Sequence, residues 1–338
     1  MNQKAKSLLK LSFFLAIAAL LLFFAFRGVN IDSVVSGFRN ANYLWVFLAV
    51  IAGIVSNILR SLRWQILIEP LGSTPTLKET FNAVMVGYLA NLALPRMGEI
   101  TRCVTLRKSS GLPFESLVGT VIVERALDVV VMVVLFIAVF FIRISFFGEF
   151  LLKNVLLPIV EKVKALVDIS PLIPLLGIAL FVAFVLLLRR NILGKKFKER
   201  VLSIFWGVVD GLKSLLKIKK KRAFALYTIL IWVCYWLMTW LIFFATKPTA
   251  HLSALDGIFL LVVGSLGMSA PVQGGFGAFH IIIAMALGIY GISWEDGLVY
   301  AVISHESQVV SVLIIGAISM AMIFFSQKST TLQNQSKE

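Results

Sequence analysis

Long apolar runs without a single charge limit what this chain can become before any other feature does. Leu11–Phe26, Val129–Ile142, Leu172–Leu188, Ala223–Ala245 and Val309–Phe325 contain no Asp, Glu, Lys or Arg. A helix crosses the hydrocarbon of a bilayer with about 20 predominantly apolar residues, whereas a helix on a water-soluble core keeps a polar face. The runs therefore read as membrane-spanning helices. Composition agrees: 59% of the 338 residues are apolar and 14% charged, against about half and about a quarter in an average soluble domain. The expected fold class is all-α integral membrane, with residues 1–338 forming a single polytopic membrane domain.

A net charge of +15 would point to nucleic acid if it lay on one aqueous face. Here it falls between the apolar runs, where cytoplasmic loops of membrane proteins collect Lys and Arg, so no nucleic-acid partner is expected. The densest block, residues 189–222, holds twelve basic side chains against Glu199 and Asp210. Its apolar residues, from Phe197 through Ile204 and Val208 to Leu216, recur at helical spacing. The block reads either as a basic amphipathic helix on the inner membrane surface or as a solvated topogenic loop. Cys103 and Cys234 show no CxxC spacing and have no neighbouring His in sequence, so they read as buried structural thiols, and neither metal nor cofactor is expected. Lys4, Lys6 and Lys10 precede the first apolar run as in a secretory signal. That run is longer than a usual signal core and lacks an A-x-A cleavage site, which predicts a retained first helix.

The positive-inside rule assigns the N-terminus, the 189–222 block and the C-terminal tail to the cytoplasm, and hence the protein to the plasma (inner) membrane. Clear spans begin near Leu8, Tyr43, Leu117, Leu172, Ala223 and Gly297, about six in all. Two further apolar stretches, Phe81–Pro95 and Asp256–Pro271, are short and run into Pro and Gly clusters. If the first crossed fully, the N-terminus and the basic block would lie on opposite sides. Parity is kept if residues 81–111 form a hairpin that enters and leaves on the cytoplasmic side, and residues 256–291 one that does so from the opposite side. The hairpins share a faint pattern: Pro95-x-x-Gly98 and Gly111-x-x-x-Glu115 answer Pro271-x-x-Gly274 and Gly291-x-x-x-Glu295. Paired broken segments in two halves of opposite orientation, an inverted repeat, are the sequence pointer to a transporter's midplane site.

Four clusters carry candidate chemistry. In Asn91-Leu-Ala-Leu-Pro95-Arg96-Met-Gly98-Glu99-Ile-Thr-Arg102, Pro95 ends a helix and Gly98 permits a turn. The next helix would offer its N-terminal amides to an anion, with Arg96 and Arg102 as phosphate forks and Glu99 steadying one of them. An ordinary charged cytoplasmic loop is the plain alternative. Glu124-Arg125-Ala-Leu-Asp128 lies inside an apolar run, and its carboxylates, four residues apart, share a helix face. A charge at the bilayer centre costs at least about 2.5 kcal/mol, so these groups face a bundle interior or an aqueous cavity. An Arg–carboxylate network that only joins helices would also satisfy them. Gln273, Gly274 and Gly275 allow close backbone approach at the second break, where tight helix packing alone is the alternative. Ser304-His305-Glu306-Ser307-Gln308 places five polar side chains within the last span, while His280 alone is a weak signal. Arg60-Ser-Leu-Arg63-Trp64 reads as an interfacial anchor ending the second span.

Taken in order, N-x-x-L-P-R-x-G-E-x-x-R at 91–102, E-R-x-x-D at 124–128, P-V-x-G-G-x-G at 271–277 and R-S-L-R-W at 60–64 resemble the flippase-like family named for the lysylphosphatidylglycerol synthase transmembrane region. The resemblance runs from about Tyr43 to the last span. In its best-known members a soluble aminoacyl-transferase part follows the membrane region, which is implicated in moving the modified phospholipid between leaflets. Because this chain ends soon after its last predicted helix, the resemblance implies a stand-alone member without lysyl transfer from tRNA.

The expected activity is translocation of a phospholipid or lipid-linked headgroup along an intramembrane charged groove. Arg96, Arg102 and Arg125 would hold phosphate, and Glu124, Asp128 and Glu306 a cationic headgroup or a coupling proton. Membrane lipids, anionic or aminoacylated, are the expected partners, with an envelope biosynthesis enzyme as a further one. Two other readings stand beside it: an intramembrane transferase using Glu124 or Asp128 as general base, and a non-transporting scaffold for envelope enzymes. No nucleophile triad, P-loop or zinc signature occurs, so no catalytic residue is assigned.

Overall fold

The computed structural model describes residues 28–142 and 218–335, except 73, 95, 96 and 271, and positions 20, 22, 23, 25, 26, 157, 160, 161 and 164 outside those stretches; side chains are described up to 325. The expected spans near Leu8 and Leu172, most of the 189–222 block, and Pro95, Arg96 and Pro271 lie outside the described residues. The chain divides into two compact units, residues 1–128 with 216–338, and residues 129–215. The second unit is described mainly through 129–142, the apolar distal part of one helix, and the first unit holds the rest of the described helices.

Among the described residues the structure is helical and contains no strand. In order the helices are α1 (Ile31–Arg39), α2 (Tyr43–Ile68), α3 (Leu77–Ala93), α4 (Gly98–Ser110), α5 (Phe114–Ile142), α6 (Lys221–Phe243), α7 (Ala254–Met268), α8 (Ala278–Gly288) and α9 (Trp294–Gln335). The stretches Tyr43–Leu71, Phe114–Ile142, Lys221–Phe243 and Trp294–Phe325 are long and apolar enough to cross a membrane, and they coincide with four of the six expected spans. The protein is therefore membrane-embedded. Its outward apolar surface agrees: Leu44 and Phe47 on α2 and Ile314 and Ile318 on α9 are all more than half exposed, whereas Arg63 and Glu124 are fully buried. α1 is not among the expected elements. It is a short amphipathic helix whose Asn30 side chain accepts from the amides of Asp32 and Ser33, a local cap that relieves two of the unpaired amides at the helix start.

α2 and α6 pack against each other along their length. The Asn42 amide donates to the Ala245 carbonyl (2.8 Å) at one end, and Lys220 pairs with Glu69 (3.0 Å) at the other. At the Asn42 end, Gly37 of α1 lies against Val299 in α9, and the Trp294 indole donates to the Ala25 carbonyl at 2.9 Å.

α3 and α7 start from these opposite ends. Thr76 begins α3 near the Glu69 end, where Gln65 donates to the Pro75 carbonyl at 2.6 Å. Ser253 begins α7 near the Asn42 end, where Trp236 donates to the Ala254 carbonyl at 2.8 Å. Both starts are closed by a reciprocal cap, Thr76 with Glu79 and Ser253 with Asp256, in which side chain and backbone satisfy each other's orphan groups. At about 1.5 Å per residue, 17 residues of α3 and 15 of α7 reach only about 26 and 23 Å, short of a hydrocarbon core of about 30 Å. Each is followed by a break and a returning helix, α4 or α8. The breaks meet: Gln273 donates through Nε2 to the Ala93 carbonyl at 2.8 Å.

Candidate functional site: two polar clusters beside the meeting tips

The first cluster is assembled from four helices. α2 contributes Arg60 and Arg63, three residues apart and so on one face; α4 contributes Arg102; α5 contributes Glu124 and Asp128; α6 contributes Tyr235 and Thr228. One oxygen of Glu124, Oε1, accepts from Arg60 Nη1 (2.9 Å) and Arg63 Nη2 (3.3 Å), and Oε2 faces Arg102 Nη2 at 3.1 Å. Asp128 pairs with Arg60 (3.2 Å) and Arg63 (2.9 Å). Arg60 Nη2 also donates to the Tyr235 hydroxyl at 2.7 Å. The Arg102 guanidinium lies over the Trp64 ring, 4.8 Å from its centroid, and the Trp64 indole is itself fixed by donation to Thr120 at 2.8 Å.

Three buried guanidiniums thus meet two carboxylates, leaving one positive charge in excess. Desolvating such a cluster is expensive, and mutual attraction offsets the cost only where hydrogen bonds are well filled. They are not completely filled: the Nε atoms of Arg60, Arg63 and Arg102, and on the acid side Glu124 Oε2 and Asp128 Oδ1, are buried without a well-formed hydrogen bond among the described residues. An electropositive cluster with spare N–H donors suits a phosphate or carboxylate.

Arg60 and Arg63 depart from their reading as interfacial anchors, being buried with Trp64 in the interior. A signal was present, since apolar residues resume after them at Ile66, Leu67 and Ile68, so the span does not end at the arginines. Arg125 behaves oppositely. Its side chain is 42% exposed and faces Glu99 at 3.5 Å, linking α5 to α4 outside the buried network. Asn91 accepts from the Gly98 amide at 2.6 Å, so this first amide of α4 is satisfied from within rather than open to an anion. Arg96 lies outside the described residues.

The second cluster joins α8 and α9. Glu306 Oε1 lies 3.2 Å from His280 Nε2 and 3.0 Å from His305 Nδ1, and His305 Nε2 meets the Gly274 carbonyl at 2.7 Å. His280, weak in isolation, gains its place only by packing. Gly274, Gly275 and Gly277 all have positive φ, which side chains with a Cβ rarely adopt, and this lets the turn reach both Ala93 and His305. The two clusters are built alike. In each half the returning helix sends one side chain to a carboxylate on the long helix that follows: Arg102 to Glu124 and His280 to Glu306.

Comparison with known proteins gives the family model described as the lysylphosphatidylglycerol synthase TM region, matching residues 11–316. A UPF0104 membrane protein of Methanothermobacter thermautotrophicus is 24% identical over 307 residues, 84% of this chain and 86% of the relative. Another, of Methanocaldococcus jannaschii, is 31% identical over 122 residues; the match spans 35% of this chain and 36% of that relative. No solved structure matches the chain.

Proposed function

The chain belongs to the family of the lysylphosphatidylglycerol synthase TM region, and from that premise we propose that it translocates a phospholipid or lipid-linked headgroup between leaflets. The observation that carries the reading is the buried excess of guanidinium over carboxylate around Glu124, with N–H donors to spare. A headgroup phosphate crossing the bilayer must exchange its hydration for fixed charges and donors, because a bare ion in hydrocarbon is prohibitive. Arg102 is the foremost phosphate ligand, supported by Arg60 and Arg63, and Arg96 and Arg125 would add further positive charge. Glu99, Glu124, Asp128 and Glu306 would meet the cationic part of an aminoacylated headgroup or hold a coupling proton. Asn91, Gln273, Gly274, Gly275 and His305 shape the junction of the tips.

In the membrane, 81–111 and 256–291 would be hairpins re-entering from opposite faces. The protein would sit in the plasma membrane with both termini cytoplasmic, in reach of an envelope biosynthesis enzyme.

The test is reconstitution into phosphatidylglycerol vesicles carrying a fluorescent phospholipid, with leaflet exchange followed by quenching from outside. Vesicles with protein are expected to exchange lipid at least tenfold faster than empty ones. Arg102→Lys, which keeps the charge but loses the fork, should remove most of that gain. Equal exchange with and without protein, for anionic, zwitterionic and aminoacylated lipids alike, would refute translocation.

A further inference from the structure

The hydrogen bonds around Glu306 cannot be completed without one extra proton. The Gly277 amide donates to His280 Nδ1 at 3.3 Å, so His280 carries its hydrogen on Nε2 and gives it to Glu306 Oε1 at 3.2 Å. The Gly274 carbonyl can only accept, so His305 carries hydrogen on Nε2 at 2.7 Å. Its Nδ1 then faces Glu306 Oε1 at 3.0 Å. With a neutral imidazole and a carboxylate, that contact would oppose two lone pairs. A hydrogen must lie between them, on an imidazolium or on a carboxylic acid.

We propose that His305 and Glu306 form a binding site for one exchangeable proton, and that its departure releases the Gly274 turn where the two helix tips meet. His280 and His305 are the titratable side chains acting on Glu306. The remaining elements packed on α9 face it by other means: α2 through the Ala49 carbonyl, taken by Gln308; α6 through the Thr239 carbonyl, taken by the Tyr300 hydroxyl; α3 through Met85 and Leu89 against Gly316; α1 through Gly37 against Val299. The rings of Phe276 and Phe279 flank His305 at 5.0 and 5.2 Å.

Glu306 is 35% exposed, and that edge is the proton's way out of the site. What remains is a carboxylate against the Nδ1 lone pair. The repulsion is relieved by turning the His305 ring, which takes Nε2–H away from the Gly274 carbonyl. Gly274 follows Gln273, whose bond to Ala93 joins the tips, so the proton's presence and the junction's closure are linked. A metal ion is the competing ligand for these three side chains. It fits less well, because His280 already spends Nε2–H on Glu306 and accepts at Nδ1, leaving no ring nitrogen free. The proton site stands or falls independently of lipid translocation.

The chain has three histidines, so each can be assigned by single replacement in nanodiscs holding the full-length protein labelled with nitrogen-15 histidine. At neutral pH the expected result is one proton beyond neutral rings and a carboxylate, seen as a doubly protonated His305 in nitrogen-15 spectra or as a carboxylic acid band that Glu306→Gln removes. As pH rises, the His305 signal and the Glu306 carboxyl band should change together. Hydrogen exchange of a peptide covering 268–280, corrected for intrinsic rates, should speed up at least tenfold over the same range. Glu306→Gln removes the titration: with its amide nitrogen in the place of Oε1 it donates to His305 Nδ1 at every pH, while His280, whose Nε2–H faces that same oxygen in the wild type, loses this acceptor. The variant should therefore show no such acceleration. A neutral His305 beside an ionised Glu306 at neutral pH, an exchange rate that ignores pH in the wild type, or one equivalent of zinc retained by the wild type and lost in Glu306→Gln would each overturn the proposal.

Discussion

When Glu124 is replaced by Ala, Arg60, Arg63 and Arg102 keep their charges in a buried cluster while losing the carboxylate they share. Removing one partner of a buried ion pair costs about 3–5 kcal/mol, since the remaining charge stays desolvated. Glu124→Ala is therefore expected to lower the midpoint of thermal unfolding in detergent by many degrees. Arg102→Met combined with it should restore part of the loss, because the double variant carries less unpaired charge. Arg125 supplies the contrast. With a side chain 42% exposed and 3.5 Å from Glu99, it makes a surface-type pair worth at most about 1 kcal/mol. Arg125→Ala should shift the midpoint little, although it is the charge adjacent to Glu124 in sequence. A large effect at Arg125 and none at Glu124 would mean that the network does not hold the fold.

Among the elements, the α3–α4 pair depends on near contact of two backbones. A Cβ at Gly87 would lie 2.8 Å from the Gly98 carbonyl oxygen, and one at Gly98 would run into the Gly87 carbonyl and the Asn91 side chain. Gly98→Ala should thus force α4 off α3 and displace Arg102 from Glu124, at about 1–3 kcal/mol by the usual cost of overpacking. In α5, Gly119 has open space where a Cβ would go and lies inside a helix. Gly119→Ala should be neutral or stabilising by up to about 1 kcal/mol, the helix-propensity difference. Thermal unfolding of the two variants side by side checks the pair. Equal destabilisation would show that loss of a glycine, rather than the α3–α4 approach, is being measured.

For the whole molecule, the contacts sort the loops into two ends. Asn42, Ala245 and Trp294 belong to one and Glu69 and Lys220 to the other. His251, Ser293 and Lys219 are exposed, while the native Cys103 and Cys234 are buried. Cysteines introduced at 251 and 293 should react with an impermeant maleimide from the same side of sealed vesicles, and a cysteine at 219 from the other, the side assigned to the cytoplasm. Labelling of all three from one side would undo the proposed arrangement of opposite entry.

The class of this protein was decided by local sequence. Hydrocarbon offers no partner to a free backbone N–H or C=O, so each uncharged apolar stretch has to satisfy itself as a helix, and stretches such as Ala223–Ala245 announce that in composition alone. The helix breaks around Gly98 and Gly274 were legible for a similar reason, because glycine and proline act on the backbone where they stand. Which charges meet was not legible. Glu124 and Asp128 visibly needed partners, yet the side chains that hold both carboxylates lie some 60 residues earlier, in α2, among residues that read as a surface anchor. His280 likewise reaches Glu306 only because α8 packs on α9. A buried charge states its need in the sequence, but its partner follows from how neighbouring helices are rotated and shifted against one another, and that is settled by packing over the whole bundle.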